Sequence, residues 1–168
     1  MKFKFLPSAI AALLSTHAFA DTPDVELPSM VVSADFRPNT AQETPISLTT
    51  IDSDTIASRG AQHIEDVLNL APNVNVSSGA SRGQYFQIRG IGERSQFSAP
   101  INPSVGLMID GIDFSRIGGA ATLFDIEQVE VLRGPQGTKF GTNALAGVIN
   151  MQSKQPTEDF DLHFETGI

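Results

Sequence analysis

Apolar residues fall at alternate positions in several short stretches of this 168-residue chain and at helical spacing elsewhere. Val74 and Val76 flank Asn75. Phe86 and Ile88 alternate with Tyr85, Gln87 and Arg89, while Val105, Leu107 and Ile109 alternate with Gly106, Met108 and Asp110. Val129 and Val131 enclose Glu130, and Val148, Ile149 and Asn150 continue extended character after a break. A side-chain period of two places alternate residues on one face of a strand, so each stretch is predicted extended, as is 46–51. Asp52 and Ser53 are N-cap candidates for a short helix that Gly60 ends. Ile64, Val67, Leu68 and Ala71 then recur at helical spacing, and Pro72 closes the pattern. Asp110-Gly111 is a hairpin-turn dipeptide. Short strands mixed with short helices predict a small α+β domain with a mixed sheet over residues 46–152.

The amino terminus follows a different pattern. Lys2 and Lys4 precede an apolar stretch, 5–14, that is too short to span a bilayer, and Ala18-Phe19-Ala20 ends it. Charged start, apolar centre and small-residue cleavage site predict a signal peptide, 1–20, and an exported protein. Its removal takes two lysines and no acid, moving the net charge from −8 to −10. That acidic balance, without a basic run, speaks against a nucleic-acid partner. Zero cysteines exclude disulfides, thiolate metal sites and a cysteine nucleophile. Residues 21–45 are thin in apolar side chains and marked by Pro23, Pro28 and Pro38, so they read as a flexible tail. Inside the tail stands one apolar island, Met30, Val31, Val32, Ser33 and Ala34. With nothing local to bury against, it is either a mobile segment ready to pair as an added strand or the first strand of the domain.

Residues 124–150, FDIEQVEVLRGPQGTKFGTNALAGVIN, join two strand patterns through glycine-dense turns. The stretch closely resembles the signature of the plug domain of TonB-dependent outer-membrane receptors, a VEVLRGP run followed by a small-residue turn, an FG and then GVIN. QIRGIG and VGLMIDGI upstream match further parts of that pattern. The resemblance implies that residues 30–34 are the TonB box, that 46–152 are the plug, and that 153–168 carry the linker and the start of a first barrel strand. In 160–168 every even position is apolar or Thr and every odd one polar or Gly, a period shared by a transmembrane barrel strand and by the edge strand of a soluble sheet. One strand cannot close a barrel, since an open edge in lipid leaves backbone groups unsatisfied, so the chain reads as a fragment or truncated receptor.

From the same resemblance, Arg89 and Arg133 are expected to dock the plug against glutamates of the barrel wall, by the bidentate geometry that guanidinium favours. Without those walls their charges would meet water or local acids such as Glu130. TonB, energised from the inner membrane, would pair with the box, and a ligand would bind over the plug's apical loops. The ligand would be a ferric siderophore first, with cobalamin, haem, other chelates and saccharides open. Arg82, Arg94, Gln96, Phe97 and Arg116 in the predicted loops are the ligand-facing candidates, each of which can equally be a solvated loop residue. The implied location is the outer membrane, with no cofactor.

Three motifs point elsewhere. Residues 79–83 satisfy G-x-S-x-G around Ser81, but a nucleophile elbow needs a helix after the serine and a strand pattern follows. Residues 90–95 lack the third glycine of a dinucleotide fingerprint, and 134–139 lack the ending of a P-loop. His63, expected at an exposed helix start, has no ligand-spaced partner, so neither a metal site nor catalysis is predicted. The competing readings are a self-standing periplasmic binding module and an exported serine hydrolase acting through Ser81.

Overall fold

The computed structural model describes residues 30–32, 39–40, 45–78, 83–94, 101–115, 117, 121–157, 160 and 162. Five strands form the main sheet in the order β3 (Ser47–Asp52), β9 (Ile126–Arg133), β10 (Gly147–Ser153), β7 (Val105–Ile109) and β8 (Ile112–Asp113). Only the β10 and β7 pair is parallel; its neighbours are antiparallel. A three-stranded antiparallel sheet holds β4 (Val74–Ser78), β5 (Gly83–Ile88) and β6 (Ile91–Gly92). A third pairing joins β1 (Val31–Val32) to β2 (Asn39–Thr40). The α+β class expected from the sequence is the one observed.

The alternation decides which face of the main sheet is dry. Val129, Val131, Ile149, Met151, Leu107 and Ile51 lie side by side through the strand registers and belong to one buried cluster. On them pack Ile56 from α1 (Ser53–Ser58), Ile64, Val67 and Leu68 from α2 (Ile64–Leu68), and Val74, Phe86 and Ile88 from the small sheet. The opposite face carries a smaller cluster, Met108, Ala144 and Val148, with Phe140 of α3 (Gly137–Phe140) against it. Because β7 is covered on both faces, Val105, Gly106, Leu107 and Met108 are all buried, which its alternation alone does not suggest.

The helices are short for local reasons. Asp52 caps α1 by accepting the Thr55 N–H at 2.8 Å, and Gly60 at φ +58 ends it. In α2 the Asp66 carboxylate accepts the Gln62 and His63 N–H groups. Its last turn tightens, with Leu70 N–H bonded to the Val67 carbonyl and Ala71 N–H to that of Leu68. The expected exposed position of His63 is corrected: it is half-buried, bridges to Thr122, and its Nδ1 is buried without a partner among the described residues.

Two turns require particular backbone. Arg89 and Gly90, at φ +53 and +79, form the two-residue loop between Ile88 and Ile91, and Asp110 and Gly111 do the same between Ile109 and Ile112. At Gly147, φ +156, a Cβ would stand 2.3 Å from the Leu132 carbonyl oxygen and 2.7 Å from Ile88 Cδ1, so only glycine lets β10 approach β9 and β5 there.

Candidate functional site

The two arginines of the glycine-terminated runs come near each other. Arg133 ends β9 on the same face as Val131, because it lies two positions further along the strand, and there it faces Ser47 and Thr49 of β3. Its guanidinium donates to Ser47 Oγ at 3.0 Å, Thr49 Oγ1 at 2.9 Å, the Pro72 carbonyl at 3.2 Å and the Leu48 carbonyl at 3.3 Å. Burial, and then the nearby Arg89 charge, hold the Arg133 pKa below the usual guanidinium range. Arg89 is exposed in its turn, and its N–H donates to the Asn73 carbonyl at 2.8 Å. The expectation that Arg133 meets Glu130 is corrected: three residues apart on one strand, their side chains point to opposite faces. Among the described residues, the hydrogen-bond partners of Arg133 are hydroxyls and carbonyls.

Of the apolar island, Met30, Val31 and Val32 are described, while Ser33 and Ala34 lie outside the described residues. The segment was expected to have nothing local to bury against; it pairs instead with Asn39 and Thr40. Val32 is 1 % exposed and Val31 52 %. The Val31 carbonyl accepts Gln128 Nε2 of β9 at 3.2 Å, which puts β1 over the second face of the main sheet. On that face Glu130 is fully buried. Its carboxylate accepts Gln128 Nε2 at 2.8 Å, Asn150 Nδ2 at 3.0 Å and Gln152 Nε2 at 3.4 Å. The sequence offered Glu130 only as a local acid for the arginines, not as a buried group. Polar side chains at 128 and 130 on β9 and at 150 and 152 on β10 share one face of paired strands, and that shared period was the signal available.

The candidate ligand loops expected at 77–84, 93–103 and 114–122 are described only in part, chiefly at their ends, and these ends are anchored. Ser77 Oγ donates to the Arg94 carbonyl at 3.3 Å, so the chain before the first loop lies beside the start of the second. Glu93 Oε1 accepts both Ser104 N–H at 2.9 Å and Ser104 Oγ at 3.1 Å, closing the base of that second loop. Arg94 is exposed; Arg82, Gln96, Phe97 and Arg116 lie outside the described residues. Near the third loop, Asp113 accepts from the hydroxyl and N–H of Ser115, and its other oxygen accepts Asn143 Nδ2 at 2.7 Å. Burial by itself would raise the Asp113 pKa, but these bonds outweigh it and hold the carboxyl below the usual range. Ser81 lies outside the described residues, between the antiparallel β4 and β5, so the strand before it is followed by a strand and not by a helix.

Large apolar side chains stand on the outside: Phe124, Ile101, Ile117 and Ile112 are each more than 60 % exposed. Single exposed apolar groups are ordinary, but Phe124 and Ile117 also line one shallow hollow of about 400 Å³ with Ile109, Ala121 and Met151.

Comparison with known proteins gives a consistent picture. The family model described as TonB-dependent Receptor Plug Domain matches residues 40–148. The chain is 28 % identical to the pesticin receptor of Yersinia pestis over 98 % of its own length and 24 % of the receptor's. It is 32 % identical to the catecholate siderophore receptor Fiu of Escherichia coli over 83 % of its length and 18 % of that protein's. Among solved structures, the ferripyoverdine receptor of the Pseudomonas aeruginosa outer membrane superposes with a TM-score of 0.63 at 26 % identity, over 78 % of this chain and 17 % of that one. The chain thus spans about a quarter or less of the length of these relatives, all of which are named as receptors.

Proposed function

Since the chain belongs to the TonB-dependent receptor plug-domain family, we propose that it works as the gate of an outer-membrane receptor for a scarce ligand, first a ferric siderophore. The observation that carries this reading is the pairing of two features in one small domain. A β-prone strand lies at the amino-terminal edge, and two arginines converge at the ends of β5 and β9. Two cations brought together, one of them partly desolvated, favour a facing anion, and glutamates on a barrel wall are the partners the family resemblance supplies. Arg133 then has two tasks. It ties β9 to β3 and to the chain before β4, and it presents charge beside Arg89. The exposed Phe124, Ile101 and Ile117 suit a domain that lies inside a wall.

On this reading residues 1–20 direct export, 21–45 reach into the periplasm, 46–152 fill a barrel lumen and 153–168 lead into the barrel. TonB adds a strand to residues 30–34. Strand addition suits the task because main-chain hydrogen bonds carry load with little demand on side chains. Ligand binds over the loops that hold Arg82, Arg94, Gln96, Phe97 and Arg116, and the gate performs no covalent chemistry.

The test uses the absence of cysteine. Met30→Cys provides a single thiol for cross-linking to a thiol placed in the periplasmic domain of TonB. Cross-linking is expected, and Val32→Pro, which removes a ladder donor, is expected to reduce it at least about tenfold. Equal cross-linking with and without the proline would remove the TonB-box assignment.

A further inference from the structure

We propose that the polar second face of β9 and β10 is the seat of the amino-terminal strand, and that Gln128, aimed by the buried Glu130 carboxylate, is the latch that holds Val31–Val32 on it. Glu130 lies at the centre of this face, opposite Asn150 on β10 and Thr50 on β3. Gln128 Nε2 lies within hydrogen-bond distance of Glu130 Oε1 at 2.8 Å, Gln152 Oε1 at 3.1 Å and the Val31 carbonyl at 3.2 Å. The shortest of the three is to the carboxylate. The charged acceptor therefore fixes the amide, and the fixed amide presents its donor to the strand above. Backbone alternation does the rest: Val31 faces outward and Val32 inward, at 52 % and 1 % exposure. Asn150, at 3.0 Å from Glu130 Oε2, and Gln152, at 3.4 Å from Oε1, complete the bed.

A seat of this kind holds a strand in register without burying much of it. Among the described residues, one buried valine and one hydrogen bond hold the strand to the sheet, contacts that a partner offering a continuous ladder can displace, while Gln128 keeps its carboxylate partner after the strand leaves. Glu130 is thus a positioning residue acting through Gln128. The latch is a property of this chain alone and stands whether or not residues 30–34 are what TonB takes up.

The full chain with Val31→Cys carries one nitroxide label, since it has no other cysteine, and its spectrum gives the ratio of mobile to immobilised strand. Gln128→Ala is expected to raise that ratio about fivefold, the effect of one hydrogen bond, and Glu130→Gln to raise it by a similar factor. The double variant is expected to go no further than Gln128→Ala alone, because both changes break one device. Amide-exchange protection of β9 and β10 serves as the control for folding. If Glu130→Gln lowers that protection, Glu130→Asp replaces it in the cycle, keeping the charge but withdrawing it by one carbon. An unchanged ratio in Gln128→Ala, or a double variant equal to the product of the singles, would overturn the latch.

Discussion

Arg133 shows how much one side chain can fix. Its four acceptors come from β3 and from Pro72, which it ties to the end of β9. In the chain alone, Arg133→Ala leaves those hydroxyls and carbonyls to water and removes the tie. The expected loss is about 1.5 kcal/mol in a denaturant melt, with Arg133→Lys recovering only part of it because an ammonium cannot span the set. Arg89→Ala, at an exposed turn, is expected to change stability by no more than about 0.5 kcal/mol. Equal and negligible effects would show that the Arg133 contacts carry no stability. Gly147→Ala is the severe case: a methyl 2.3 Å from the Leu132 carbonyl forces β10 away from β9. A cost of about 2 kcal/mol or more is expected from the same melt.

Among the elements, α1 depends visibly on its cap. Hydrogen bonds from the Thr55 side chain and then its backbone hold the Asp52 pKa below the usual carboxylate value, and those to Asp113 have the same result. A group whose folded pKa is depressed contributes stability in full above its unfolded value, about 3.9, and loses it as pH falls through the folded one. Stability is therefore expected to fall below about pH 4, and the fall should be shallower in Asp52→Ala, which lowers neutral-pH stability by about 1 kcal/mol. Denaturant midpoints measured from pH 2 to 7 check this, and parallel curves would contradict it. The same cap was legible in the sequence, as were the strands at 74–78, 105–109 and 126–133, because capping and alternation are local. The buried Glu130 was not. Its environment is built from β9, β10 and β1, which lie apart in sequence, and a period of two cannot tell a solvated face from one covered by another strand. The four acceptors of Arg133 were hidden for the same reason, since β3 is brought to β9 only by folding.

At the scale of the whole molecule, one face of the main sheet buries the core under α1, α2 and the small sheet, while the other bears a small apolar cluster and a polar bed. The described ends of the loops, the arginine pair and the amino-terminal strand are set around that frame. On the function proposed above, these features supply separate contacts to a surrounding wall, to a ligand and to a pulling partner. The most direct measurement replaces the plug of the Yersinia pestis pesticin receptor with residues 21–152 of this chain and follows two readouts in cells. One is entry of a large hydrophilic antibiotic, which reports whether the barrel is closed; the other is ferric-siderophore uptake with and without TonB. The account predicts a closed barrel, uptake that requires TonB and is lost in Val32→Pro, and antibiotic leakage when Arg89 and Arg133 are both changed to Ala. A barrel that stays open with the unaltered domain, or uptake indifferent to TonB and to Val32→Pro, would contradict it.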